Sequence, residues 1–214
     1  MSKSAPKRWL AVWLLASFCL ALASLIKGAP ANRGEALAIN PRLDMITALS
    51  AMGPHPSLSD QAKVFGRLVG TWDVEYTDFS KDGKVTHRAG EFIVGWVLDG
   101  RAMQDFWVVY PSGTHKDREV YTELRYYDGK SGTWPVTFID PEHASVARFA
   151  GGAVSDDRIV LDTQDFGGTD TRWSINDIHP DSFVWREEES LDGGKSWRLL
   201  AEDHMRRRGA VPPM

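Results

Sequence analysis

The chain has 214 residues, 43% of them hydrophobic and 25% charged, with a formal net charge of −4, the proportions of one globular domain plus an extra segment. Eleven Pro, nineteen Gly and a single Cys exclude collagen-like, low-complexity and disulfide-framework classes. Trp is the unusual count, at nine, with seven of them between Trp72 and Trp197.

At the front, Lys3, Lys7 and Arg8 precede an uncharged apolar run from Trp9 to Ile26, the layout of a secretory signal. Ala29-Pro30-Ala31 supplies small residues for cleavage before Asn32, and Ala21-Leu22-Ala23 offers an earlier site. The run is also long enough to cross a bilayer if uncleaved, and Met45 is an alternative start. Residues 1–31 therefore read as a signal peptide or membrane anchor. Either places the remainder beyond the membrane, exported to the periplasm or outside, or anchored there, because the basic residues lie N-terminal to the run. Cys19 lies within the run behind Phe18, which does not suit lipid attachment, and no thiol remains downstream, as suits an oxidising compartment. Residues 1–31 hold four of the 25 basic residues and none of the 29 acidic ones, so the rest carries −8. That charge disfavours nucleic acid and anionic membrane surfaces as partners. Membrane contact is then expected only through an uncleaved N-terminal segment.

Residues 32–63 read as short helical pieces. Asp44 precedes the apolar set Met45, Ile46, Leu49 and Met52, and Gly53-Pro54-His55-Pro56 ends it. A second piece starts at Ser57 or Ser59, with Ser57 and Asp60 at capping-box spacing, and Val64, Phe65 and Leu68 follow as apolar contacts. Such segments plug or brace a domain. From Gly66 the period changes from 3.6 to 2 and stays there to Arg208. Leu68, Gly70, Trp72, Val74 and Tyr76 share one face of the first strand. Strand-like runs follow at 90–98, 101–110, 119–127, 133–139, 144–150, 158–163, 171–178, 182–190 and 195–206. Asp82-Gly83, Asp99-Gly100, Asp128-Gly129 and Asp192-Gly193 stand between runs and supply the positive φ of tight hairpins, while Gly151-Gly152 and Gly167-Gly168 suggest two further breaks. No connection is long enough for a parallel crossover helix. The prediction is all-β: an antiparallel up-and-down barrel of about eight to ten strands over 64–208, followed by a short tail, 209–214. Closure removes sheet edges, and a barrel of this size can hold one small ligand.

Gly70-Thr71-Trp72 resembles the Gly-x-Trp of lipocalin-like calycin barrels, in which the Trp closes one end and an Arg of the last strand packs over it. Arg206, Arg207 or Arg208 would serve here. Gly66 to Asp73, Gly95 to Ala102 and Asp181 to Trp197 resemble the lipocalin-like family known only as domain of unknown function 1579. The resemblance covers roughly residues 54–208. It implies the fold and brings no catalytic residues.

The histidines, at 55, 87, 115, 143, 179 and 204, show no metal-ligand spacing, and His115, His143 and His179 fall in predicted turns, where a solvated ring is expected. Haem-binding barrels of the nitrobindin type use a C-terminal histidine, which singles out His204. Asp73-Val74-Glu75-Tyr76 replaces their glycine-rich signature, and strand parity turns His204 outward, so no cofactor and no metal is assigned. Gly194-Lys195-Ser196 lacks the first glycine of a phosphate loop. Ser190 to Trp197 fits the Ser-x-Asp-x-Gly-x-x-Trp box of sialidase propellers, but as one copy it reads as a hairpin turn whose Ser and Asp bond local amides. No nucleophile elbow occurs.

Polar residues that share a strand face with aromatics remain. Met103, Asp105 and Trp107 have one parity, as do Tyr121, Glu123, Arg125 and Tyr127, and Phe183, Trp185, Glu187 and Glu189. Inward aromatics would place Asp105, Arg125 and Glu187 in a low-dielectric interior, where burial raises carboxylate pKa values and Arg125 can grip an anionic group. The opposite parity would bury Phe106 and Val108, or Leu124 and Tyr126. The leading expectation is a binding module that takes a small, largely apolar molecule among Trp72, Trp96, Trp107, Trp134 and Trp185, with Arg125. The alternatives are an isomerase, cyclase or hydrolase using Asp105 with Arg125 or Glu187, and a protein-interaction module with a filled interior. A cavity of about 300 Å³ or more separates the last from the others.

Overall fold

The structure, a computed structural model, describes residues 41–113, 116–163 and 170–209. The predicted leader, the helical reading of 32–40, His115, Gly167-Gly168 and most of the tail lie outside those residues. Among the described residues, no helix is long and apolar enough to cross a membrane.

Ten strands follow one another: β1 Gly70–Phe79, β2 Val85–Val97, β3 Ala102–Val109, β4 Glu119–Tyr126, β5 Trp134–Asp140, β6 Ser145–Ser155, β7 Arg158–Thr163, β8 Asp170–Asn176, β9 Ser182–Ser190 and β10 Arg198–Arg207. Each pairs antiparallel with the next, and β1 pairs with β10, so the sheet closes into a barrel. The expected all-β meander is therefore present with its full complement of strands. Closure leaves no row of unpaired backbone groups for another chain to join.

Alternation sets the two faces. Trp72, Val74 and Tyr76 of β1 are buried while Asp73 and Glu75 are exposed, and the pattern recurs around the barrel. Three of the predicted Asp-Gly turns carry the positive φ at their glycine, Gly83, Gly100 and Gly193, whereas in the β4–β5 turn Gly132 takes it and Gly129 does not. Gly151-Gly152 is not a break: both lie inside β6. A Cβ on Gly151 would stand 1.9 Å from the Val160 carbonyl oxygen, so this glycine permits close approach between β6 and β7.

Before the barrel, α1 spans Pro41–Leu49, three residues ahead of the expected Asp44 start. A 3-10 turn over Pro56–Gln61 then runs into α2, Ala62–Gly66. The expected Ser57–Asp60 capping box does not form. The His55 side chain takes the cap, accepting from the Ser57 amide, and Asp60 pairs with Lys63 instead. Backbone bonds from Ala51 to Trp96 and from His55 to Gly100 tie the intervening stretch to the β2–β3 hairpin. Leu58, Phe65 and Leu68 are buried against the strands and plug one end of the barrel.

Candidate functional site

The plugged end is built on the Gly-x-Trp. Trp72 is fully buried, donates its indole N–H to Leu68 O at 2.8 Å and meets Phe183 edge-on at 4.7 Å. Of the three candidate arginines it is Arg207 that covers it, 4.0 Å from the ring centroid, while donating to the carbonyls of Val69, Arg67 and Pro180. Gly70 is required beside it: its φ is +140°, and a Cβ would lie 2.5 Å from Arg207 Nη1. Trp134 packs on Phe65 and Tyr127, and Trp96 touches Gly66 of α2. These three tryptophans, expected around a ligand, therefore form the closed end.

Between this plug and the other end lies a charged layer. Met103, Asp105 and Trp107 are buried as the aromatic parity suggested; of the opposite parity Phe106, Leu124 and Tyr126 are exposed, while Val108 is buried. Arg125, 4.8 Å above the Phe65 ring, pairs with Asp105 and, at 2.5 Å, with Glu123. Glu123 also accepts from the Trp107 indole at 3.1 Å, and its amide donates to Asp105 Oδ1 at 3.2 Å. Burial pushes the Asp105 carboxyl well above the usual carboxylate range, with the Glu123 charge adding to the effect and Arg125 opposing it. Two buried carboxylates on one guanidinium are neutral overall when Asp105 holds a proton. Arg125 is thus the internal counter-ion of both carboxylates, which it meets through Nη2, while its buried Nε has no hydrogen-bond partner.

Above the charged layer the barrel is hollow, with a cavity of about 370 Å³. Trp107 and Trp185 of the predicted set reach it; Trp173, unpredicted, completes a row of indoles with Trp185 in the middle, 5.2 Å from Trp107 and 5.6 Å from Trp173. Trp173 is held in place by stacking on Phe149 at 3.6 Å and by Phe138 at 5.3 Å. Its indole N–H stands near Glu187 without a hydrogen bond of good geometry. Tyr76 crosses from β1 through the space left by Gly90, where a Cβ would lie 2.8 Å from its ring, to donate to Val108 O at 3.3 Å.

Five carboxylates line this cavity: Asp78, Glu123, Asp140, Glu187 and Asp203. Three have cations. Arg88 reaches Asp78 at 3.3 Å and Glu119 at 2.9 Å. His143 at the mouth, its side chain 66% exposed, meets Asp140 at 2.7 Å, and that contact raises the imidazole pKa. Glu123 has Arg125. Among the described residues no cation pairs with Glu187 or Asp203. Asp203 is only 3% exposed, and its carboxylate accepts just the Thr77 amide at 3.3 Å. Burial pushes both carboxyls up, helped by the Asp78 charge and by the charge of Glu187 on Asp203.

Sequence reasoning singled out Asp105, Arg125 and Glu187 as one site; the structure separates them, with only Glu187 lining the cavity. It missed Asp203, Trp173 and the Asp140–His143 pair, and it named Glu123 only as a face-mate. His204 is on the outer face, Nε2 3.1 Å from Glu202. The Ser190–Trp197 turn is as expected: Ser190 Oγ accepts from the Gly194 amide, and Asp192 accepts from the Ser196 hydroxyl and from the amides of Ser196 and Lys195; the Ser196 hydroxyl and amide, with the Ser190 hydroxyl, hold the Asp192 carboxyl down at about 2. No group of three or more His, Cys, Asp or Glu side chains that could hold a metal ion converges among the described residues.

No protein-family model matches this chain, and no curated protein matches it. Among solved structures it is similar to an S-type phycobiliprotein lyase from Guillardia theta, with a TM-score of 0.50 and 12% identity over 69% of this chain and 92% of that one. At that identity the likeness is one of fold, and it makes this chain a lipocalin-like antiparallel barrel.

Proposed function

We propose that the chain is a small-molecule-binding barrel whose largely apolar ligand lies in the cavity against Trp107, Trp173 and Trp185. The observation that carries this reading is the hollow of about 370 Å³ inside a closed sheet, walled by a row of three indoles with Trp185 in the middle. Ligand pockets run from about 300 to 1,000 Å³ and combine aromatic walls with a few polar groups, and a hollow of this size argues against the filled-interior reading. The neighbouring fold is compatible with binding and carries no ligand identity. Membership of the domain of unknown function 1579 group, on the motifs quoted above, belongs to the same proposal. So does export, which rests on the basic and apolar pattern of residues 1–31 and is tested by locating the full chain in cell fractions.

A second reading, an enzyme on the same barrel, shifts from Asp105 and Arg125 to Glu187 and Asp203. Burial raises both carboxyls, as it does Glu123, but these two line the cavity with no cation among the described residues, which leaves them available for acid-base chemistry. Binding without turnover separates the two. The direct test is intrinsic Trp fluorescence of the purified protein titrated with small apolar aromatics, alongside native mass spectrometry for a co-purifying molecule. A saturable change that is lost in Trp185→Ala and kept in Trp96→Phe is expected. No change with any probe, and no bound mass, overturns the reading.

A further inference from the structure

The cavity wall has an unbalanced charge. Asp78, Asp140 and Glu123 each have a cation within the fold, and Arg88 and His143, the two cationic side chains on the wall, are committed to Asp78 with Glu119 and to Asp140. Glu187 on β9 and Asp203 on β10 line the cavity with none among the described residues. The register sets them close together, since Ala201 pairs with Glu187 and Asp203 with Trp185. Burying a carboxylate without a partner is costly, and apolar residues of the same size would fill these positions in a barrel that held only an apolar guest.

A second, independent feature points the same way. Trp185 stands beside both carboxylates, between Trp107 and Trp173. Indole is the side chain that best attracts a cation to its face, and aromatic walls with nearby carboxylates are how proteins hold ammonium groups. Two carboxylates, with no metal-holding group among the described residues, suit an organic cation better than a metal ion, which needs more oxygen ligands.

We propose that the ligand of this barrel is a small organic cation, a protonated amine or quaternary ammonium on an apolar body, its charge between Glu187 and Asp203 and against Trp185. The inference rests on the binding reading above and narrows it to a ligand class. Burial raises the proton affinity of these carboxyls, and a bound cation favours their ionised form. The charged and titratable groups facing the pair are Asp78, Arg88, Glu189 and Tyr76, of which only Arg88 favours ionisation. Cation uptake therefore strengthens as pH rises from the ordinary carboxylate range toward neutrality.

The test uses two probes of one shape on the purified full chain: phenyltrimethylammonium and its neutral isostere tert-butylbenzene, followed by Trp fluorescence at pH 5 and pH 8. Phenyltrimethylammonium is expected to bind at least about ten-fold more tightly at pH 8, with the advantage shrinking at pH 5. Glu187→Gln with Asp203→Asn should abolish the preference while keeping tert-butylbenzene binding, which also shows that the variant is folded; Glu187→Gln alone should lower it in part. Equal or tighter binding of tert-butylbenzene overturns the cation inference and leaves the binding reading standing. A preference unchanged in the double variant overturns it as well. Failure of both probes to bind overturns the cation inference, and together with the absence of any co-purifying mass it overturns the binding reading as well.

Discussion

At the plugged end of the barrel, Asp105 and Glu123 share Arg125 beneath Phe65, and Trp72 is clamped under Arg207 with its N–H satisfied. At the hollow end, Glu187 on β9 and Asp203 on β10 line the cavity with no cation among the described residues. The two halves come from the same alternation and the same kinds of residue, Trp with carboxylate. They differ in whether the carboxylates have a cation within the fold. Local rules that hold at one end and are broken at the other mark the broken end as the functional one.

The comparison can be broken most decisively at Arg125. Arg125→Met leaves two buried carboxylates without their cation and should destabilise the fold by about 3–5 kcal/mol in chemical denaturation; a smaller loss than any change at the hollow end would erase the distinction. Arg207→Lys keeps the charge but loses the planar fork over Trp72 and its carbonyl bonds. It should lower stability by about 1–3 kcal/mol without moving probe affinity.

At the hollow end the sign reverses. Glu187→Gln and Asp203→Asn should be neutral or stabilising at pH 7, within about 1 kcal/mol, because they remove a burial penalty. Folding raises the proton affinity of both carboxyls. Their contribution to stability is therefore full below the ordinary carboxylate range and is lost as pH rises through the folded pKa. Wild-type melting temperature should fall between pH 5 and pH 8, and the double variant should show a flatter profile, its residual slope belonging to Asp105 and Glu123. A profile unchanged by the substitutions would show that these carboxyls are not perturbed. The smallest effect is expected at Asp192, on the surface turn. Its lowered pKa favours the fold above the ordinary carboxylate range, and that support is lost as pH falls through about 2. Asp192→Asn should lower the melting temperature slightly at neutral pH, flatten the acid limb of its pH profile and leave binding untouched.

The fold was legible because each strand carries its own two-residue period and four of the nine connections between strands carry Asp-Gly. The parity of Trp107 correctly turned Asp105 inward. Depth along the barrel was not legible: alternation says that Trp72, Trp134 and Trp185 face in, but the strand registers that put the first two in the plug and the third on the cavity are set between strands. Asp203 lay within reach of the same alternation, since the parity that turns His204 outward turns its neighbour inward; what no strand pattern gives is which buried carboxylates have a cation beside them, because that depends on pairing between strands. His143 read as a solvated turn residue, and it is largely exposed; only the end of β5 shows that Asp140 lies under it.

Closure of the sheet through β1 and β10 has a consequence for how the molecule comes into being. The bonds that seal the plug join residues 138 positions apart, Val69 and Arg207, so the Gly-x-Trp waits, unclamped, until the last strand has arrived. Folding of such a topology is dominated by long-range pairing and is correspondingly slow. A chain truncated within β10 would keep most of its hairpins yet lack the lock on both strand edges and on Trp72. Its shortfall would show as aggregation and proteolysis during synthesis rather than as a modestly less stable barrel.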